Sequence, residues 1–330
     1  MSFTQQLQVW FYQNQRLLPF RFNKDPYRIW IAEIMAQQTQ IDTMIPYYTR
    51  WLTKWPILQT LAETSENEIL KQWEGLGYYS RARNIHRAIQ ILKHQSFHFP
   101  NNLAEISQLP GIGPYTAAAI ASICFETPCV ALDGNVYRVV SRLFELQDEL
   151  GSKILLKKVT THMEEWMSTA IPSVFTQAMM ELGALICTPQ NPDCTHCPIK
   201  ETCLAFKNNT MHLYPIKKTS KAKPIIQKTI LLLVSPDHKI VLTLDHSDRL
   251  MQGYWRFPET TVIPKEAIFL GHKHHVFTHL VWDLDFYRLL TQTDALHHWF
   301  TSQEIEDLPV VTAHRDFFEK TKTKIFVSES

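Results

Sequence analysis

The 330-residue chain has no uninterrupted apolar run of the ~18 residues that span a bilayer, so no transmembrane helix is expected. Its opening residues, MSFTQQLQVWFYQNQR, lack the basic start, long apolar core and small-residue cleavage site of a signal peptide. Both absences point to a cytoplasmic protein. Charge imbalance is also missing. Lys and Arg total 33 against 32 Asp and Glu, a formal net charge of +1, which neither favours nor excludes a nucleic-acid partner. No repeat of 20–50 residues is apparent, which removes solenoids and propellers. What is present is the composition of a soluble globular protein, 45% hydrophobic and 20% charged. The length exceeds what one compact core usually takes, so two or three domains are expected.

Residues 1–205 read as helical, with no period-2 strand pattern. In DPYRIWIAEIMAQQTQI, Asp25 and Pro26 are start signals, and Trp30, Ile34 and Ile41 are placed on one stripe. TSENEILKQWEGLGYYSRARNIHRAIQILKH reads as two helices. The first starts at a Ser65–Glu68 capping box and stops near Gly75; the second carries Ile85, Ala88, Ile89 and Leu92 at helical spacing. After residue 224 the texture changes: KTILLLVSPDHKIVLTLD is two β-branched runs around a Pro-Asp turn, and HVFTHLVWDLDFYRLL alternates apolar and polar residues. The boundary falls in a linker, 206–224. Lys207–Lys228 is locally basic, either as a solvated linker or as a phosphate contact.

Cys124 and Cys129 lie in an apolar stretch and read as buried thiols. Cys187, Cys194, Cys197 and Cys203 form a C-x6-C-x2-C-x5-C cluster. Without a secretory context, such crowding favours a metal over disulfides. Only one short C-x2-C pair is present, so an iron–sulfur cluster suits the spacing better than zinc, with zinc and free thiols the alternatives. His196 reads as a loop residue between ligands.

LPGIGPYTAAAI carries Gly111 and Gly113 ahead of a small-residue helix, a helix–hairpin–helix signature. Glycine lets the backbone approach a partner, and amides at the next helix start can hold a phosphate without reading sequence. The segments LPFR, DPYRIWIAEIMAQQTQ, GLGYYSRARN, LPGIGPYT and LDGNVYRV, with the cysteine pattern, occur in order. Together they resemble the adenine DNA glycosylases (MutY family) of the helix–hairpin–helix DNA glycosylase superfamily, which remove adenine mispaired with 8-oxoguanine. The resemblance runs from about residue 10 to 205 and continues more weakly beyond.

The resemblance implies a mostly α helix–hairpin–helix core with a [4Fe–4S] loop over 1–205, plus a C-terminal α+β Nudix-like domain over 225–330. Lyase-competent members carry a lysine where Tyr115 stands. A tyrosine cannot form the Schiff base, so base removal without strand cleavage is implied. Glu33 corresponds to the acid that protonates adenine N7, and its position beside the Trp30/Ile34 stripe would raise its pKa. Asp133 corresponds to the carboxylate that stabilises the sugar cation or joins it transiently. It would also cap the helix that follows, where the helix N-terminus favours its ionised form. Asn135 is expected to orient Asp133 or the water, and Tyr115 to shape the same pocket.

Arg21, Gln38, Thr39, Leu76, Tyr78, Gly111 and Gly113 are expected against DNA, and Arg81, Arg83 and Arg87 either within reach of phosphates or, for at least one of them, on a solvated face. Phe277, Thr278 and His279 correspond to the loop that reads 8-oxoguanine. Thr278 stands for the usual serine and keeps its hydroxyl. Phe20 and Ala36 depart from the family's usual Trp and larger apolar residue. RLMQGYWRFPE looks Nudix-like, but no catalytic run of glutamates follows it. The expected partner is duplex DNA bound by a monomer. An endonuclease III-type glycosylase/lyase is opposed by Tyr115 and the added domain, and a non-catalytic DNA-binding module by Glu33 and Asp133.

Overall fold

Capping residues set the helix starts in the computed structural model, which describes residues 1–218, 222–244 and 251–326. A Ser2/Gln5 capping box opens α1 (Phe3–Asn14), and Asp25 opens α2 (Pro26–Ala36) by accepting from the Tyr27 and Arg28 amides. After α3 (Ile41–Lys54) and α4 (Leu58–Ala62), Ser65 and Glu68 form the expected box of α5 (Glu66–Trp73), which stops ahead of Gly75 at φ 97°. Next come α6 (Ser80–His94), which buries Ile85, Ala88, Ile89 and Leu92, and the short α7 (Leu103–Ile106). The helices α8 (Pro114–Phe125), α9 (Gly134–Phe144), α10 (Lys153–Met167), α11 (Pro172–Leu185) and α12 (Leu204–Lys207) complete the series before the first strand. One expectation changes. Ile41 does not share the Trp30/Ile34 stripe, because α2 ends at Ala36, Gln38 turns left-handed at φ 57°, and Ile41 opens α3.

The chain divides into two compact units, Met1–Ala62 with Arg87–Ser220, and Glu63–His86 with Lys221–Ser330. In the first, α1, α9, α10 and α11 enclose Leu7, Phe11, Val140, Val159, Phe175 and Met179. On the other side α2 packs on α3 and α8, with Trp30, Met35 and Trp51 fully buried. The small residues of α8, Ala117 to Ala119, let α2 approach closely.

The second unit is an α+β arrangement. Strands β1 (Ile225–Val234), β2 (Ile240–Leu244), β3 (Trp255–Arg256), β4 (Glu259–Thr260), β5 (Ile268–Val276), β6 (Val281–Leu290) and β7 (His298–Phe300) form one sheet with path β3-β2-β1-β6-β5. β1 and β6 are parallel, and β5 and β6 form an antiparallel hairpin. Trp282, Leu284 and Phe286 point inward on β6 while Asp283 and Asp285 alternate outward. Helices α13 (Ser302–Asp307) and α14 (Thr312–Ile325) follow, and Phe317 of α14 stacks on Phe286 at 3.8 Å. Within this unit the Tyr254 hydroxyl donates to the Leu70 carbonyl of α5 at 2.8 Å.

Residues 219–221 of the expected linker, and Arg249 and Leu250 of RLMQGYWRFPE, lie outside the described residues. Among the described residues no helix is long and apolar enough to cross a membrane.

Candidate active site

Four elements of the helical unit converge on one cavity of about 840 Å³. Glu33 enters from α2, Tyr115 from the first turn of α8, Asp133 from the cap of α9, and Met180, Glu181 and Gly183 from α11. Glu33 and Asp133 therefore line the same space. Burial pushes Glu33 up to about 7; the Tyr115 hydroxyl, which donates to Oε2 at 2.7 Å, pulls it down, and the charge of Asp133 adds to the rise. A carboxyl at about 7 is half protonated near neutral pH, so a large share of the enzyme holds the proton there.

Asp133 is held differently. Its Oδ1 accepts from the Val136 amide at 2.8 Å, the N-cap bond of α9, and its Oδ2 accepts from Asn135 Nδ2 at 2.7 Å. Arg138 Nη2 donates to Asn135 Oδ1 at 2.6 Å and to the Gly183 carbonyl at 2.8 Å, while its Nε donates to the Cys187 carbonyl at 2.7 Å. The helix terminus favours the ionised form through the Val136 amide, as the cap implies. Burial is the larger effect and raises Asp133 on balance, with the Val136 amide, Asn135 and Arg138 opposing that rise. The two carboxyls thus share one cavity with different partners, a single phenol on Glu33 and a backbone amide plus a carboxamide on Asp133.

Arg21 lines this cavity with its guanidinium engaged bidentate by Glu181, both contacts 2.8 Å, and Arg16 joins the same carboxylate. Burial pushes Glu181 up, but the hydrogen bonds from Arg21 and Arg16 prevail and hold it at about 2. Gln38 and Thr39 lie at the cavity edge beyond α2, Gln38 exposed and left-handed at φ 57°. Phe20 and Ala36, the two departures, both line it.

In the hairpin Gly111 takes φ 80°, a left-handed turn that favours glycine. Gly113 caps α8 without a side-chain hydrogen bond, and a Cβ there would meet open space. Of the three arginines expected near phosphates, Arg81 and Arg83 are buried. Arg81 donates to the Leu76 and Gly77 carbonyls and Arg83 to that of Gln252, so neither guanidinium faces solvent; Arg87 is exposed. Two lysines of the basic segment are engaged within the sheet unit, Lys228 with Glu259 and Lys223 with the Phe277 carbonyl.

The four clustered cysteines line one small apolar cavity with Arg142 and Lys200 and no acidic side chain. Arg142 Nη1 lies 3.3 Å from Cys187 Sγ. Burial pushes Cys197 up to about 12, and the other three thiols add to the rise, so gathering four thiolates there requires a cation. The donor set, four sulfurs lining one cavity whose only charged lining residues are Arg142 and Lys200, fits a metal centre with a net-negative ligand shell. His196 stands outside the set, exposed and bonded to Asp193 at 2.9 Å.

The sheet unit has a second cavity of about 270 Å³, which brings Leu76 and Tyr78 together with Phe277, Thr278 and His279. The last three sit in the turn between β5 and β6. Tyr78 is left-handed at φ 48° and 42% exposed, so its ring is open to a partner on one side. The sequence reading missed several lining residues. Gly183 was not singled out, although a Cβ there would stand 2.4 Å from Asn135 Cβ. Glu181 was likewise passed over, because its arginine partners are 160 and 165 residues away in sequence. His275 and Thr312 are among the further residues that line the second cavity.

A glycine hairpin feeding a helix bundle, with two carboxylates in one cleft, defines a base-excision type of site. Residues 31–169 match the family described as "HhH-GPD superfamily base excision DNA repair protein". The helical unit has the fold of a thermostable thymine-DNA glycosylase, 24% identical with TM-score 0.56, covering 62% of this chain and 95% of that one. An adenine DNA glycosylase of Buchnera aphidicola (subsp. Baizongia pistaciae) is 39% identical over 78% of this chain and 72% of its own length. That of Mus musculus is 32% identical over 96% and 77%. The chain belongs to the adenine DNA glycosylase family.

Proposed function

We propose that this protein excises adenine paired with 8-oxoguanine, or with guanine, from duplex DNA by hydrolysing the N-glycosidic bond without cleaving the strand. The observation that carries the reading is the convergence of two partly buried carboxyls on one cavity, Glu33 bonded by the Tyr115 hydroxyl and Asp133 by the Val136 amide and Asn135. The adenosine must first leave the duplex, at a cost of a few kcal/mol. Neutral Glu33, steadied by Tyr115, gives its proton to N7, so the base departs neutral. Ionised Asp133 stabilises the oxocarbenium-like sugar or joins it transiently at C1′, with Asn135 and Arg138 holding the carboxylate in place. Water then adds at C1′ as the ester bond to Asp133 breaks or the cation is quenched, and its proton passes to the Glu33 carboxylate, which restores the acid. Position 115 supplies a phenol bonded to Glu33 and no amine, which supports a monofunctional enzyme.

Cys187, Cys194, Cys197 and Cys203 would hold a [4Fe–4S] cluster, whose contribution when bound is to brace its loop and to offer a redox centre. Gly111 and Gly113 would give backbone amides to a phosphate. In the sheet unit Phe277 and Tyr78 would offer ring faces to 8-oxoguanine, and Thr278 would accept from its N7–H. A denaturing gel on a duplex with adenine opposite 8-oxoguanine tests the reading. Cleavage only after hot alkali supports it. Cleavage without alkali indicates a lyase, and none in either lane leaves only a DNA-binding protein.

A further inference from the structure

The solvent face of the β5–β6 hairpin carries a group that the excision reaction does not use. His272 stands opposite Asp285 and His274 opposite Asp283 in the antiparallel ladder. The two-residue spacing puts all four side chains on one face. Potential ligand atoms of His272, His274 and Asp283 lie within 4.8 Å of one another. His272 Nε2 is 2.7 Å and His274 Nδ1 is 2.9 Å from the same oxygen, Asp283 Oδ1. The two Nε2 atoms are 3.2 Å apart.

Asp283 Oδ1 is closed off from solvent, yet it receives no aligned hydrogen bond in spite of this crowding. A shielded anionic oxygen left in that condition is costly unless a cation answers it. Asp285 supplies the other expected part. Its Oδ1 lies 2.8 Å from His272 Nδ1, which fixes the ring and turns Nε2 toward Asp283, the carboxylate–histidine pairing that orients metal-bound imidazoles. Ligand atoms around a tetrahedral zinc ion at 2.0–2.1 Å stand roughly 3.3 Å apart. The His272 Nε2–Asp283 Oδ1 separation of 2.7 Å sits inside this, so an incoming ion would spread that pair by about half an ångström, with His274 offering either ring nitrogen as its one ligand atom. Two imidazoles and one carboxylate select a divalent transition ion over magnesium or calcium, and the exposed side leaves a position for water.

We propose that His272, His274 and Asp283 bind one divalent transition-metal ion of the zinc class, clasping β5 to β6 beside the turn that carries Phe277, Thr278 and His279. Asp285 is the positioning residue for His272. Its ligands all belong to the sheet unit and share no residue with the four-cysteine centre or with the Glu33/Asp133 pair.

The test uses untagged full-length protein as purified, washed with EDTA, freed of chelator and titrated with ZnCl2 by calorimetry, with bound metal counted by mass spectrometry. The wild type is expected to take up one equivalent of zinc more than the H272A/H274A variant. Zinc captured by the cysteines is common to both proteins and cancels. D283N should lose the same equivalent, and it decides the question if the double variant fails to fold. D285N should keep the stoichiometry and bind about 10–100-fold more weakly. Equal zinc content in the wild type and the folded variants would overturn the site and leave the group as ion pairs only.

Discussion

Gly183 offers a perturbation whose size can be worked from coordinates. An added Cβ would lie 2.4 Å from Asn135 Cβ and 3.1 Å from its Cα, where carbon atoms normally rest about 3.5–4.0 Å apart. In G183A, α9 and α11 must therefore separate by about 1 Å at the cap of α9. Asn135 cannot slide away freely, because Arg138 ties its Oδ1 to the Gly183 carbonyl. The displacement passes to the 2.7 Å bond between Asn135 and Asp133. Overpacking of this kind costs about 1–3 kcal/mol of stability. A misplacement of ~1 Å at a reacting group costs about 10²-fold in rate. Single-turnover adenine release from an 8-oxoguanine·adenine duplex should fall by about that factor, with duplex affinity and helix content retained. A G183A enzyme within threefold of wild type would refute the claim that Asn135 and Asp133 are held by this helix contact.

Y115F removes the hydroxyl that pulls Glu33 down, so the basic limb of the pH–rate profile should move to higher pH while the maximum rate falls; a limb that stays or moves to lower pH contradicts the pairing. Glu33 binds its proton more tightly folded than unfolded, so this group's contribution to stability is complete below about 4.5 and is lost as pH rises toward about 7. E33Q should consequently melt higher than wild type at pH 8, with the difference narrowing at pH 5, as read by thermal denaturation. T278A should lower excision opposite 8-oxoguanine about five- to tenfold, with excision opposite guanine unchanged, since one hydrogen bond of about 1 kcal/mol is at stake. Equal losses on both substrates would remove Thr278 from lesion reading.

Local signals were legible in the chain. The Ser65–Glu68 box, the Asp25 and Asp133 caps, the outward–inward alternation of β6 and the four cysteines each state their role within a few residues. Glu33 was found by its place in a motif, and its environment by its neighbours Trp30 and Ile34. What escaped was made by distant partners. Ile41 looked continuous with α2 because an apolar period does not register the left-handed turn at Gln38. Arg81 and Arg83 looked available because charge alone does not reveal that carbonyls of the 76–77 turn and of Gln252 have claimed them. Gly183 and Glu181 read as ordinary helix positions until α9 and the LPFR segment are brought against α11. The fall in Asp133's acidity is of the same kind: the cap is a sequence signal, and the burial that outweighs it is tertiary.

The most direct measurement compares single-turnover rates and duplex dissociation constants for wild type, E33Q, D133N and the E33Q/D133N double variant on an 8-oxoguanine·adenine duplex. If one acid and one anion act on a single extruded adenosine, each single variant loses at least ~10²-fold in rate with binding intact, and the double loses less than the product of the two. Adenine release persisting near the wild-type rate in either single variant would contradict the account.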